Sequence, residues 1–271
     1  MSEAIEFDPD LYRGTAEYYD RGRVPYPTEM VADLVDRVEP SGGGRLLDLA
    51  CGTGQITFAI AEHFGEVWAV DQEPDMIEVV RDKADIAEAG NVRAVVSSAE
   101  RLHAPSDAFE LVAIGNAFHR LRRDAVAANA LRWLHPGRCI ALLWSTGPGT
   151  GDKDWQRVLS AVLESWRRRV GAEARVPAGW EQVRRERPDS AVLTAAGFQP
   201  VRSARLFTEH DWTVDALLGY VYSSSALPKA ALGDRAEAFE SDVRHELGAY
   251  TSGGPLRATL DSAYELARRP A

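Results

Sequence analysis

Hydrophobic residues recur along the first half of the chain with two alternating periods. Met30, Val31, Leu34, Val35 and Val38 fall on one face of a helix that opens after Pro27, and the run Pro40–Gly44 stops it. Leu46–Leu49 is a short apolar run that predicts a buried strand. A glycine turn follows, then a helical pattern from about Gln55 to Phe64. Glu66–Asp71 predicts a second strand, 75–90 a helix closed by Gly90, 92–98 a third strand and Phe109–Gly115 a fourth. A helix over 124–137, with Asp124 as its N-cap, and a fifth strand over Cys139–Trp144 complete the series. Strands that are apolar throughout, separated by amphipathic helices, belong to a sheet covered on both faces. The prediction is an α/β, doubly wound, mostly parallel sheet. Such sheets bind ligands beyond the carboxyl ends of their strands.

After Trp144 the alternation breaks. The segment STGPGTG (145–151) reads as a flexible connection, and 152–170 and 179–188 as helices rich in Trp and Arg. Then come a helix ending at Gly197, a strand over 201–207, helices over 213–227 and 233–250, and a strand over 262–270. The expectation is a single domain over 1–271 of about seven strands with an antiparallel C-terminal strand. It divides into N-terminal helices in 1–40, a core in 41–145, a helical cap inserted over 151–190, and a return to the sheet in 191–271.

Composition narrows the function classes. The net charge is −10, which argues against a general nucleic-acid surface. Cys51 and Cys139 have no neighbour at metal-ligand spacing, so no metal is expected and no disulfide framework is suggested. No run of about 18 apolar residues exists, so a membrane span is not expected. The first ten residues, MSEAIEFDPD, have no apolar core of a secretory leader. A cytoplasmic protein, monomer or homodimer, is the default.

The chemistry concentrates in RLLDLACGTGQITFAIA, Arg45–Ala61. A carboxylate, Asp48, closes a buried strand directly before a turn with almost no side chain. A P-loop would need a Lys that is missing. A dinucleotide fingerprint would need a third glycine where Thr57 stands, which disfavours an NAD(P)-linked oxidoreductase and leaves it as a rival. A second acid, Asp71, closes the next strand, a position from which carboxylates accept ribose hydroxyls in nucleotide sites.

The segment resembles the first motif of class I S-adenosylmethionine-dependent methyltransferases, and the likeness runs over residues from about 19 to 145. The resemblance implies a Rossmann-like methyltransferase fold with S-adenosylmethionine as cofactor and S-adenosylhomocysteine as product. Asp48 would lie near the methionine ammonium, with Ala50, Gly52, Gly54 and Gln55 letting the backbone approach. Asp71 would hold the ribose beside Gln72, and Met76 would pack on adenine. After the third strand the family often has Gly-Asp-Ala-Glu; here Ser97 and Ser98 precede Ala99 and Glu100, so the adenine contacts fall to Ser98, Ala99 and Glu100 without the carboxylate. YYDRGRVPYP, residues 18–27, resembles the N-terminal motif of a subgroup that includes trans-aconitate methyltransferase-like enzymes. By that likeness Tyr19 and Arg23 would close over the cofactor, as part of an N-terminal unit covering it.

Gly115 and Asn116 end the fourth strand and, by the resemblance, would line the cofactor, with His119 pointing toward the acceptor. The subgroup commonly follows with Ala-Phe-His-Trp; this chain has Ala117, Phe118, His119 and Arg120. His119 is the candidate base, an imidazole near neutrality in water; a packing role is the alternative. A base is dispensable where alignment and water exclusion carry an in-line transfer. Phe118, Trp155, Trp180 and Tyr220 are candidate walls for a small-molecule acceptor. The cap's consecutive arginines point in different directions around a helix and read as a solvated face. The expected activity is methyl transfer to an oxygen or nitrogen of a small organic molecule, in a setting such as antibiotic biosynthesis. Formation of a carboxyl methyl ester and non-catalytic cofactor binding remain as alternatives.

Overall fold

The computed structural model describes residues 5–271. Seven strands form one sheet: β1 Arg45–Leu49, β2 Glu66–Asp71, β3 Val92–Val96, β4 Phe109–Gly115, β5 Leu134–Ser145, β6 Gln199–Trp212 and β7 Leu256–Arg268. Their order is β3-β2-β1-β4-β5-β7-β6. β1 to β5 pair in parallel, and β7 runs antiparallel to both β5 and β6. The doubly wound sheet with its antiparallel C-terminal strand is therefore present. The order reverses between β1 and β4, and a crevice opens there at the carboxyl ends of the strands.

The helices are α1 Ala16–Gly22, α2 Thr28–Val38, α3 Gln55–Ile60, α4 Pro74–Ile86, α5 Arg123–Trp133, α6 Asp154–Val170, α7 Trp180–Glu186, α8 Asp189–Ala195, α9 Val214–Tyr222, α10 Lys229–Leu232 and α11 Ala236–Thr251. β1 beyond Arg45 and β4 through Ile114 are buried on both faces, as their largely apolar sequences require. On one face Met30 and Leu34 of α2 and Ile56 and Ile60 of α3 pack on Leu46, Leu111 and Leu143. On the other, Val126, Ala130 and Trp133 of α5 and Val192 and Leu193 of α8 pack on Leu47, Val112 and Ile140.

Several sequence expectations shift. The helix expected over 124–137 ends at Trp133, because Pro136 cannot continue it, and the chain enters β5 at Leu134. Asp124 sits in the first turn rather than at the cap, and its carboxylate takes both terminal nitrogens of Arg187. β6 extends well past Phe207 because β7 pairs with it through Trp212. The insertion expected over 151–190 supplies only part of the helical layer. α6 packs with α9 and α11 around Trp155, Leu159, Leu217, Phe239 and Leu247, while α8 belongs with α5 against the sheet. Among the described residues no helix is long and apolar enough to cross a membrane.

α1 lies along α9 at backbone contact. A Cβ on Gly22 would stand 2.7 Å from the carbonyl carbon and oxygen of Gly219, and 2.9 Å from the nitrogen of Tyr220. Backbone cannot turn aside as a side chain can. Gly22→Ala should cost about 1–3 kcal/mol by overpacking, despite alanine's better helix propensity. A thermal melt checks this, and an unchanged midpoint would show that α1 does not hold this position.

Candidate active site

Tyr19, Tyr26, Asp48, Ala50, Cys51 and Gln55 line a cleft at the crevice, with Ile56 and Gly115 at its back. The backbone turns sharply here. Ala50 has φ 52°, and Gly54 has φ 81° directly before α3. The left-handed alanine is held by the turn around it and marks a strained strand end.

Asp48 is fully buried. Its Oδ2 accepts the backbone N–H of Thr57 at 2.9 Å and the Thr57 hydroxyl at 2.7 Å, while Oδ1 has no donor. Burial pushes its carboxyl pKa up to about 7, although the Thr57 bonds act the other way. Thr57, the residue that breaks the dinucleotide fingerprint, is thus the tether that orients Asp48.

Asp71 is also buried. Its Oδ2 accepts the N–H of Gly52 at 2.9 Å and its Oδ1 the N–H of Glu73 at 3.0 Å. The carboxylate fixes the glycine turn, and each oxygen keeps a further lone pair for a ligand hydroxyl. Gln72 points away: it is exposed and its Nε2 donates to the carbonyl of Pro9 at 2.8 Å. Met76 and Ala99 are buried side chains on this side. The carbonyl of Ser98 accepts from the Ser97 hydroxyl at 3.1 Å. Glu100 is used elsewhere, accepting the N–H of Arg122 at 3.1 Å ahead of α5.

A roof of aromatic and cationic groups covers the cleft. The ring of Tyr19 faces Gly52 so closely that a Cβ there would meet it at 3.2 Å. The Arg23 guanidinium lies between two rings, 4.6 Å from the centroid of Tyr19 and 4.7 Å from that of Tyr220. Its Nη1 donates to the Tyr220 hydroxyl at 3.2 Å and its Nη2 to the carbonyl of Ser223 at 3.0 Å; its buried Nε has no partner. Residues 7–14 run across this roof. Tyr12 meets Tyr19 edge to face, the carbonyl of Leu11 accepts from Arg175, and the N–H of Gly14 donates to Asp75.

A second pocket adjoins the first beyond the ends of β4 and β5. Phe118, His119, Trp144, Arg184 and Asp189 line it, with Asn116 between the two. The Asn116 side chain is spent on structure: its Nδ2 donates to the hydroxyls of Tyr26 and Ser145, and its Oδ1 accepts the N–H of Ser145. Gly115 leaves room for Ile56 and the Tyr26 hydroxyl, which a Cβ would meet at 2.7 and 2.8 Å. His119 stacks on Trp180 at 4.7 Å between centroids, and Phe7 meets its edge. Its Nε2 accepts from the Arg120 Nε at 3.1 Å. Burial, aided by the charge of Arg184, lowers its pKa to about 4.

Tyr19, Arg23, Asp48, Gly52, Gly54, Asp71, Gly115, Phe118, His119, Trp180 and Tyr220 therefore gather around the crevice. Trp155 does not. It is buried in the helical layer, and its indole N–H donates to the carbonyl of Arg257 at 3.3 Å. Sequence reasoning leaves Tyr26, Thr57, Arg120, Trp144, Arg184 and Asp189 out of the site. Tyr26 and Arg120 carry a signal, since the first is part of the N-terminal motif and the second stands where the subgroup has Trp after His119; the others become neighbours only through the fold.

The arrangement offers a buried carboxylate oxygen without a donor and a buried guanidinium nitrogen without an acceptor around one cleft. That is the complement of a zwitterion.

Comparison with known proteins agrees. Residues 46–137 match the methyltransferase domain family. The uncharacterized methyltransferase Rv3342 of Mycobacterium tuberculosis is 31% identical over 128 residues, covering 47% of this chain and 49% of that protein. The chain thus spans about half the length of this relative. Nocamycin O-methyltransferase of Saccharothrix syringae is 29% identical over 276 residues, covering 94% of this chain and 96% of the other. The structure of a putative type II methyltransferase from Anaeromyxobacter dehalogenans has the same fold, with a TM-score of 0.60 at 24% identity over 92% of this chain and 98% of that one. Residues 46–137 thus match a methyltransferase domain, and the chain is similar to class I methyltransferases in its motif, its strand order and its cleft.

Proposed function

We propose that the chain binds S-adenosylmethionine and transfers its methyl group to an oxygen or nitrogen of a small organic molecule in secondary metabolism. The observation that carries this reading is the unpaired Oδ1 of Asp48 together with the unpaired Nε of Arg23. They suit the ammonium and carboxylate of the methionine portion. A dinucleotide would bring a diphosphate to a turn whose nearest buried side chain is a carboxylate.

When bound, the cofactor supplies an electrophilic methyl on a sulfonium. Asp71 offers its two remaining lone pairs to the ribose hydroxyls. Met76, Ser98 and Ala99 supply a wall for the adenine, while Ala50, Gly52, Gly54 and Gln55 keep the turn open to the backbone. Tyr19 and the 7–14 segment exclude water. Phe118, Trp180 and Tyr220 bound the acceptor side. A full-length relative named an O-methyltransferase supports a small-molecule oxygen acceptor. The reading carries with it a cytoplasmic monomer or homodimer with no role on nucleic acid or membrane.

His119 is a poor base at neutral pH. Its lone pair accepts from Arg120 and its conjugate acid has a pKa of about 4. The His119 ring protons should show no titration between about pH 5.5 and 8 by NMR; a midpoint near the ordinary value of about 6.5 would restore the histidine as base. An acceptor that arrives with its lone pair free needs no base, and this favours a second reading, esterification of a carboxylate.

The test is calorimetric titration with S-adenosylhomocysteine and with NADH. Micromolar binding of the first alone is the expected result. Binding of NADH alone, or of neither, would overturn the proposal.

A further inference from the structure

Positive charge inside this acidic protein is distributed unevenly. Three partly buried arginines are paired to carboxylates: Arg123 and Arg184 to Asp189, and Arg138 to Glu110. Arg120 is different. It forms no salt bridge among the described residues, and the one hydrogen bond of its side chain there is the Nε donation to His119. Its guanidinium carbon lies 4.6 Å from the ring centroid of Tyr12, a contact that offsets burial without neutralising the charge. Burial lowers its pKa to about 10, with the nearby Tyr220 acting in the opposite sense, so it stays charged at neutral pH. Both terminal nitrogens lack an acceptor among the described residues, and neither is sealed from solvent.

The neighbours of Arg120 locate it. His119, to which it donates, lines the pocket beyond β4, and Tyr12 and Tyr220 belong to the roof. Arg23 and Arg175 on the same roof also bond only to hydroxyl or carbonyl oxygens, so no acid paired to them competes for an incoming anion. A guanidinium with a free fork matches a carboxylate in two parallel hydrogen bonds. Tyr12 lies against its face, and the neighbouring pocket is itself aromatic: Trp180 stacks on His119, and Phe118 and Trp144 line it.

We infer that Arg120 is the specificity-determining residue for an anionic acceptor, a carboxylate carried on a flat, aromatic molecule. The inference rests on the methyltransferase reading and names the substrate class of that same site. In the transfer, a carboxylate oxygen donates its electron pair to the methyl carbon as the carbon–sulfur bond breaks, and that bond's pair stays on sulfur. No proton moves. The negative acceptor and positive sulfonium become a neutral ester and a neutral thioether. Arg120 then loses its anion, which favours product release.

The test uses the whole chain saturated with S-adenosylhomocysteine, titrated with 2-naphthoate and with its neutral isostere 2-naphthamide. The wild type should bind the carboxylate at least tenfold more tightly than the amide. Arg120→Met should abolish that preference, and Arg120→Lys should keep part of it. Equal binding of both probes, binding of neither, or a preference surviving in Arg120→Met would overturn the inference. S-adenosylhomocysteine affinity is measured first in every variant. If the wild type fails there, the methyltransferase reading itself has failed. If the wild type binds it but shows no carboxylate preference, or Arg120→Met binds it and keeps that preference, the assignment to Arg120 alone is lost.

Discussion

Asp71→Ala is expected to weaken S-adenosylhomocysteine binding by about 100-fold or more, on the order of 3 kcal/mol. Two causes add. A carboxylate accepting two hydroxyls forms charge-assisted bonds, each stronger than a neutral one. The same carboxylate also receives the N–H groups of Gly52 and Glu73, so its removal frees the glycine turn. Each stranded buried N–H costs about 1–3 kcal/mol, so the melting temperature should fall as well. Calorimetry and a thermal melt on one preparation separate the two losses. A variant that melts early yet binds the ligand like the wild type would confine Asp71 to holding the turn.

Asp189→Ala should be the most destabilising single change in the acceptor pocket. Asp189 is 4% exposed and receives Arg123 at 2.9 Å on one oxygen and the Arg184 Nε at 2.8 Å on the other. Removing the acid takes the paired carboxylate from two guanidiniums, leaving Arg123 only the carbonyl of Arg187, and breaking a buried pair in this way costs about 3–5 kcal/mol. Denaturant unfolding should show that loss, whereas Asp189→Asn, which retains an acceptor oxygen, should lose less. A loss below about 1 kcal/mol for the alanine variant, the range of a surface pair, would mean that water satisfies both arginines. The change should also disturb the pocket, since Arg184 lies over Trp144 with its guanidinium carbon 5.6 Å from the ring centroid.

The parts of the site that are legible in the sequence are those set by the strand period. Asp48, Gly52, Gly54 and Asp71 stand where an apolar run stops, and in a parallel sheet that is where the crevice lies. Groups whose roles depend on a distant partner are not legible. Asn116 reads as a ligand contact at a strand end, but its amide is taken by Tyr26, 90 residues away in sequence, and by Ser145. Trp155 and Trp180 both lie in the segment after β5 and look alike in sequence. Only the packing of α6 against α11 buries one and leaves the other stacked on His119. His119 reads as a base because an isolated imidazole titrates near neutrality. Burial and the Arg120 bond, neither visible in sequence, take that away. β6 is longer than its apolar signal because an edge strand has a solvent face and carries polar residues that weaken the pattern.

The place of β7 in the sheet has a consequence for how the protein is made. β7 follows β6 in the chain yet lies between β5 and β6. On the ribosome, β6 lacks its native partner until β7 has emerged, while β1 to β5 can already pair. Synthesis runs at about 5–20 residues per second, so the stretch that separates the two strands, from Thr213 to the start of β7 at Leu256, leaves β5 with an open edge for a time on the order of seconds. A ribosome stalled between β6 and β7 would hold a half-sheet that proteases and chaperones can distinguish from the finished molecule.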